Sequence, residues 1–208
     1  MNTRLANFIS VALHPLLMPT FLFLLLFFLA PTPLGVESLD VLMKWAVLGF
    51  IFVYTFVIPA YLIYLLKSWG FISSLKLENL HDRRLPYLLT AVIYAALGYF
   101  IYSKNSMLFP CGFVLWSIAV VVFWVGIISI WWQISAHAAG IGGMIGAVAG
   151  MLIQLGETAL FYPLLLTIIL AGYVVAARLA LNAHTTAQVA AGFGLGVGLS
   201  LGAVIWFF

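Results

Sequence analysis

SAHAAGIGGMIGAVAGMLIQL, residues 135–155, and NAHTTAQVAAGFGLGVGLSLGAVIWFF, residues 182–208, begin alike: a polar residue, an alanine and a histidine lead into a long apolar run studded with glycine. Each run is long enough to cross a bilayer, for which about 20 apolar residues suffice. Gly142, Gly146 and Gly150 recur every fourth residue in the first, and Gly194, Gly198 and Gly202 do so in the second. Small residues at that spacing let helix backbones approach closely in lipid. Packing of the two stripes is expected to bring His137 and His184, at the mouths of the two helices, near each other. Ionisable groups are costly near a bilayer core, so such a cluster is the first candidate for a functional site.

The rest of the chain has the same character. Hydrophobic residues make up 66% and charged residues 6% of the 208 positions. A soluble domain carries about a quarter of its residues as charged ones, so the composition is that of an integral membrane protein. The length suits a single domain over residues 1–208. Seven apolar segments are expected to span: Phe8–Leu29, Met43–Leu66, Tyr87–Tyr102, Met107–Trp131, Ala138–Leu155, Thr158–Ala176 and Ala187–Phe208. The fold class is therefore all-α, a polytopic bundle of six to seven transmembrane helices. The third segment is short and the first contains Pro15 and Pro19, so one of them is a candidate for a broken or re-entrant helix. The first run reads as a retained helix rather than a removed signal peptide. Tyr61, Tyr64, Trp69, Tyr99, Tyr102, Trp131, Trp132 and Trp206 fall near segment ends, as an interfacial aromatic belt does. The one cysteine, Cys111, excludes an intrachain disulfide.

The longest polar connection is Lys67–Leu85, KSWGFISSLKLENLHDRRL, which holds six of the 13 charged residues and is expected to form an amphipathic surface helix. Two segments separate it from Ser135–His137, and two more separate that point from Arg178–His184. An even number of crossings returns the chain to the same side, so the basic loop, both histidines and Arg178 share one membrane face. The N-terminus is placed on that face and the C-terminus on the other.

In chain order the residues able to carry chemistry there are Lys76, Arg83, Arg84, Ser135, His137, Arg178 and His184. Permanent cations beside imidazoles make an anion site, most simply a phosphate site: arginine offers a planar fork matched to phosphate oxygens and lysine a point charge. Ser135 is expected at a helix start, where free N–H groups favour anions. One histidine can act as nucleophile and a second can protonate a leaving oxygen. No metal site stands out, because the acids are only Glu37, Asp40, Glu78, Asp82 and Glu157. No nucleic-acid motif is present. His14, before Pro15, reads as a kink or packing residue, His81 and Asp82 as solvated loop residues, and Arg4, Lys44, Lys67 and Lys104 as headgroup anchors.

The order and spacing of these residues resemble the signature of the type 2 phosphatidic acid phosphatase and haloperoxidase superfamily, K-x6-R-P, then P-S-G-H, then S-R-x5-H-x3-D. Here the parts are Lys76-LENLHD-Arg83, Ile134-Ser135-Ala136-His137 and Ala177-Arg178-LALNA-His184-TTA-Gln188. The resemblance covers residues 76–188; charged and histidine positions match, whereas Pro, Gly, Ser and Asp positions do not. It implies a bundle with the superfamily's core and a phosphohydrolase needing no cofactor. His184 would attack phosphorus to form a phosphohistidine, and His137 would protonate the leaving group. Lys76, Arg83 and Arg178, helped by Ser135, would hold the phosphate oxygens. Gln188 stands where the family has an Asp that orients the nucleophilic histidine; an amide oxygen accepts the same bond but supplies no negative charge. Two readings stay open: a phosphatase acting on a lipid phosphate or pyrophosphate, or a relative that binds phospholipid phosphate or serves as a subunit of a membrane complex. The expected location is a bacterial inner membrane, with membrane lipids as neighbours and no nucleic-acid partner. Counting basic residues puts the site in the cytoplasm, whereas the resemblance puts it outside.

Overall fold

The computed structural model describes residues 1–75, 77, 79–104 and 108–208. Lys76 and Glu78, and Met107 at the expected start of the fourth segment, lie outside the described residues. Among the described residues the chain is all helix and turn, with no strand. Seven helical stretches are long and apolar enough to cross a membrane: Thr3–Leu29, Val41–Ser68, Leu80–Lys104, Phe109–Ile128, Ala136–Leu155, Thr158–Ala180 and Thr186–Phe207. The protein is thus a multi-pass integral membrane protein of all-α class.

Proline decides where the first two spans are interrupted. Helix α1 (Thr3–Ala12) stops before His14, whose backbone is extended (φ −64°, ψ 138°). Pro15 disfavours helical geometry in the residue before it. A short 3-10 turn, Pro15–Leu17, then leads into α2 (Met18–Leu29). The two pieces find different neighbours: α1 packs Ala6 and Ile9 towards α8 (Phe161–Ala180), while α2 runs along α7 (Ala136–Leu155). The first segment is the broken one. In the second span, α3 (Val41–Phe52) passes through a π-helical turn, Val53–Val57, into α4 (Ile58–Ser68). Pro59 has no N–H for the Thr55 carbonyl four residues back. The Tyr94 hydroxyl donates to that carbonyl at 2.6 Å and so ties α5 (Leu80–Lys104) to the turn.

Three expectations are corrected here. The third span is not short: α5 reaches back to Leu80 and absorbs Asp82, Arg83 and Arg84 into its first turns. No surface helix forms among the described residues of 69–79. Asp82 is buried rather than solvated, because its carboxylate accepts from the Ser73 N–H (3.1 Å) and the Ser73 hydroxyl, closing the loop onto the start of α5. His81 is exposed.

Helices α5 and α6 (Phe109–Ile128) cross where Gly98 meets Gly112: a Cβ on Gly98 would lie 2.8 Å from the Gly112 carbonyl oxygen. The closest pairing is α7 with α9 (Thr186–Phe207), which run in the same direction. Gly142 and Gly146 of α7 lie against the carbonyls of Phe193 and Val197, and Gly150 against Val204. On α9, however, the facing stripe is Gly192, Gly196 and Ser200; Gly194, Gly198 and Gly202 meet nothing within 4 Å. The expected α9 stripe is therefore corrected by half a helix turn. Residues two apart point about 200° apart around a helix of 3.6 residues per turn, so the stripe at 194 lies on the opposite face. The main apolar core, with Phe23, Phe27, Leu97, Leu115 and Met151, fills the end of the bundle away from His137 and His184. Tyr61, Tyr64, Trp69, Tyr99, Tyr102, Trp131, Trp132 and Trp206 are all exposed.

This register predicts opposite responses from two neighbouring glycines. A Cβ at Gly196 would collide with the Ala139 carbonyl oxygen and lie 2.6 Å from the Gly143 nitrogen. Gly196→Ala is expected to lower the thermal unfolding midpoint in detergent micelles, with a loss of about 1–3 kcal/mol for overpacking. Gly198→Ala is expected to leave it unchanged or raise it slightly, since Ala favours a helix by roughly 1 kcal/mol over Gly. Equal losses at both positions would refute the register.

Candidate functional site

Five chain segments bring the polar groups named below to a cavity of about 650 Å³ at the other end of the bundle. They are the start of α5 with Arg83, the start of α7 with His137, the end of α8 with Arg178, the α8–α9 turn with His184, and the α1–α2 break with Ser10 and His14. The three parts of the sequence pattern are thus drawn together, apart from Lys76, which lies outside the described residues.

His184 is placed by two caps. Helix α8 ends with Asn182 in the left-handed region (φ 50°), with the Ala183 N–H donating to the Arg178 carbonyl and the Asn182 N–H to that of Leu179. This bond pair closes a helix end, and asparagine is among the few residues besides glycine that accept its backbone. Thr185 then caps α9 in a reciprocal box: the Gln188 N–H donates to Thr185 Oγ1 (3.3 Å) and the Thr185 N–H to Gln188 Oε1 (3.0 Å). Between the caps, His184 is 8% exposed. Its Nδ1 lies 3.1 Å from the Gln133 carbonyl oxygen and 3.3 Å from Gln188 Oε1. Both neighbours are acceptors, so Nδ1 carries the proton and Nε2 keeps its lone pair. That is the tautomer a nucleophilic or ligand-binding imidazole needs.

Arg83 is buried, with Nε donating to the Leu77 carbonyl at 2.6 Å and Nη1 to that of Ile134 at 3.2 Å. Arg178 donates from Nη1 to Ser10 Oγ (3.3 Å), while its buried Nε has no partner among the described residues. Both arginines line the cavity, and no Asp or Glu does so among the described residues. His137 donates from Nε2 to the Ser10 carbonyl (3.0 Å), and its ring stands edge-on to that of His14, centroids 5.5 Å apart.

The remaining expected residues stand apart from this set. Arg84 is exposed and donates from Nη2 to the Ile130 carbonyl (2.7 Å) outside the cavity. Successive helical residues point about 100° apart, so burying Arg83 turns Arg84 outward. Ser135 is fully buried as the cap of α7, its Oγ accepting from the Ala138 N–H (3.4 Å), and does not line the cavity. Gln188 stands behind His184 rather than on the lining. Ser10, Gln133 and His14 were not singled out as site residues from the sequence. The signal for His14 was present, as an ionisable residue inside an apolar span is a functional candidate by default.

The cavity is also walled by Met18 and Leu22 of α2, Val121, Val122 and Val125 of α6, and Met144 of α7, with the hydroxyl residues Thr90, Tyr94 and Ser200 among them. Cationic groups and apolar side chains lining one continuous space fit an amphiphile with an anionic head. Compared with family models, curated proteins and solved structures, the chain matches none.

Burial first, then the charges of Arg83 and Arg178, push the His184 imidazole from 6.5 down to about 4. Titration of ¹⁵N-histidine-labelled protein is expected to show a neutral ring at pH 6 and a midpoint near 4. In the unfolded chain the same ring takes up its proton near 6.5. The unfolded state therefore binds more protons between those values, and stability is lost as pH falls through that window. A midpoint at or above 6.5 would contradict the buried, cation-flanked placement.

Proposed function

We propose that this cavity is the active site of an integral membrane phosphohydrolase acting on a lipid phosphate or pyrophosphate, in a divergent relative of the type 2 phosphatidic acid phosphatase and haloperoxidase superfamily. One observation carries the reading: Arg83 and Arg178 line the cavity beside three imidazoles with no lining carboxylate among the described residues. Buried charges are ordinarily paired, and here a bound phosphate would supply the missing anion. The apolar side chains of the wall would receive the lipid chain.

In this reading His184 Nε2 attacks phosphorus while Gln133 and Gln188 hold Nδ1–H. The phosphorus–oxygen bond to the lipid breaks, and the leaving oxygen takes a proton from His137. Water then cleaves the phosphohistidine. Arg83 and Arg178, with Lys76 as assigned from the sequence, stabilise the phosphoryl oxygens, the kind of term that usually dominates such catalysis. Ser135 contributes by capping α7 and Gln188 by orienting His184. Arg84 has no part. Gln188 provides no anion behind His184, and loss of such an anion in a serine-protease triad slows turnover by about 10⁴, so a slow enzyme is expected.

The same observation about Gln188 favours a second reading, a relative that binds lipid phosphate without cleaving it or serves as a subunit of a membrane complex. Its Oε1 is shared with the Thr185 N–H as half of a helix cap, a role complete without catalysis. For location we favour a bacterial inner membrane with the site facing outward. α9 carries the chain from His184 to the opposite end of the bundle, so a reporter fused after Phe208 should then read as cytoplasmic.

Protein reconstituted in lipid is expected to release phosphate from some lipid phosphate without added metal. His184→Ala should abolish release, and His137→Ala should reduce it by about 10² or more, the usual contribution of a general acid. Gln188→Asp should raise turnover by stabilising the imidazolium. No release across a broad panel of lipid phosphates, together with no gain from Gln188→Asp, would replace the enzyme reading by the binding one.

A further inference from the structure

The break in the first span places two groups against His137 that the phosphate chemistry does not require. Ser10 is the hinge of this arrangement: its hydroxyl accepts from Arg178 Nη1 (3.3 Å) and its carbonyl accepts from His137 Nε2 (3.0 Å). A carbonyl only accepts, so Nε2 of His137 is permanently protonated and Nδ1 is the nitrogen left to exchange a proton. His14 is bound the opposite way round. Its Nδ1 accepts the Leu16 N–H (3.3 Å) as the cap of the 3-10 turn, so its resting proton is on Nε2. The two rings are 5.5 Å apart with their planes at 78°.

We propose that Ser10 and His14 are positioning residues for His137, with Ser10 fixing its tautomer and the two imidazoles sharing one exchangeable proton. A second proton on His137 enters at the open Nδ1. A second proton on His14 must displace the Leu16 N–H and break the turn's cap, which opposes charging that ring. Charging both rings at once is opposed by the groups around them: Arg178 beside Ser10, with His184 and Arg83 on the same cavity lining and no carboxylate there among the described residues. Like charges at this range disfavour double protonation. The pairing stands on the geometry alone; the proton's destination rests on the phosphohydrolase reading. There, the leaving oxygen keeps the bonding electron pair and takes the Nδ1 proton of His137, which becomes neutral. The water that later cleaves the phosphohistidine gives a proton back to that nitrogen.

Asparagine separates the two roles of His14, because it caps a helical turn well but does not titrate. In ¹⁵N-histidine NMR of the reconstituted protein, His137 is expected to titrate in two steps separated by more than about one pH unit, as coupled groups do. In His14→Asn the two steps should become one, with the thermal midpoint unchanged, and the pH profile of phosphate release should lose the matching step. His14→Ala should lose the coupling and also lower the thermal midpoint. A His137 titration that is the same in wild type and His14→Asn overturns the proposal. Should the Asn variant not fold, His137→Gln read at His14 gives the same comparison. Coupled titration without phosphate release from any variant removes the phosphohydrolase reading and leaves the pair. Release with uncoupled titration removes the pair and leaves the phosphohydrolase.

Discussion

The contact of α7 with α9 is the constraint on which the rest of the structure depends. Lipid is as apolar as any leucine, so two membrane helices gain little from burying apolar side chains together. What they gain is close backbone packing, which requires that nothing project between them. Gly142, Gly146, Gly192 and Gly196 meet that requirement, each lying against a backbone carbonyl of the other helix. The first turns are included: a Cβ at Gly192 would lie 2.5 Å from the Ser135 carbonyl oxygen, and the Ser135 N–H donates to the Gln188 carbonyl at 3.2 Å. The start of α7, with His137, and the start of α9, with His184 just before it, are thereby locked side by side.

Around that pair Arg83 and the two imidazoles are held by backbone carbonyls, and no acid among the described residues lines the cavity. Arg83 is fixed on the carbonyls of Leu77 and Ile134, His184 on that of Gln133 and His137 on that of Ser10. Carbonyl dipoles orient these side chains and leave the charge of Arg83 in place. Among the described residues Arg83 and Arg178 leave the cavity lining with net positive charge, and in a low-dielectric surrounding an anion gains more from such charges than in water. Ion pairing with carboxylates would have oriented the same arginines but cancelled that charge.

Proline sets the boundaries of the site. Pro15 ends α1 short of a full crossing and turns His14 and Ser10 into the cavity wall. Pro59 accompanies the π-helical turn that receives the Tyr94 hydroxyl, fixing α5 against the second span at a residue that also lines the cavity. In each case backbone atoms freed by proline are answered by a side chain or a turn, as a membrane interior demands.

Much of this was legible in the chain itself. The apolar runs and their length determined an all-α membrane protein of six to seven spanning helices, because no other backbone arrangement satisfies its polar groups in lipid except a closed barrel. Counting crossings was enough to put Arg83, His137, Arg178 and His184 at one end. Side-chain direction was not legible. Small residues occupy every even position of α9 from Gly192 to Gly202, which makes two equivalent stripes on opposite faces. Only the carbonyls of α7 select between them. Likewise Arg83 and Arg84 are equal in chemistry and set apart in the sequence only by the spacing from Lys76; the burial of one side of α5 turns the first inward and the second out. His14 entered the site because Pro15 breaks the helix and lets α1 pack on α8 while α2 follows α7. Composition and periodicity determined which segments cross the membrane. Which face of each looks inward was decided by the neighbours it packs against, since orientation about a helix axis depends on contacts that residues distant in sequence supply.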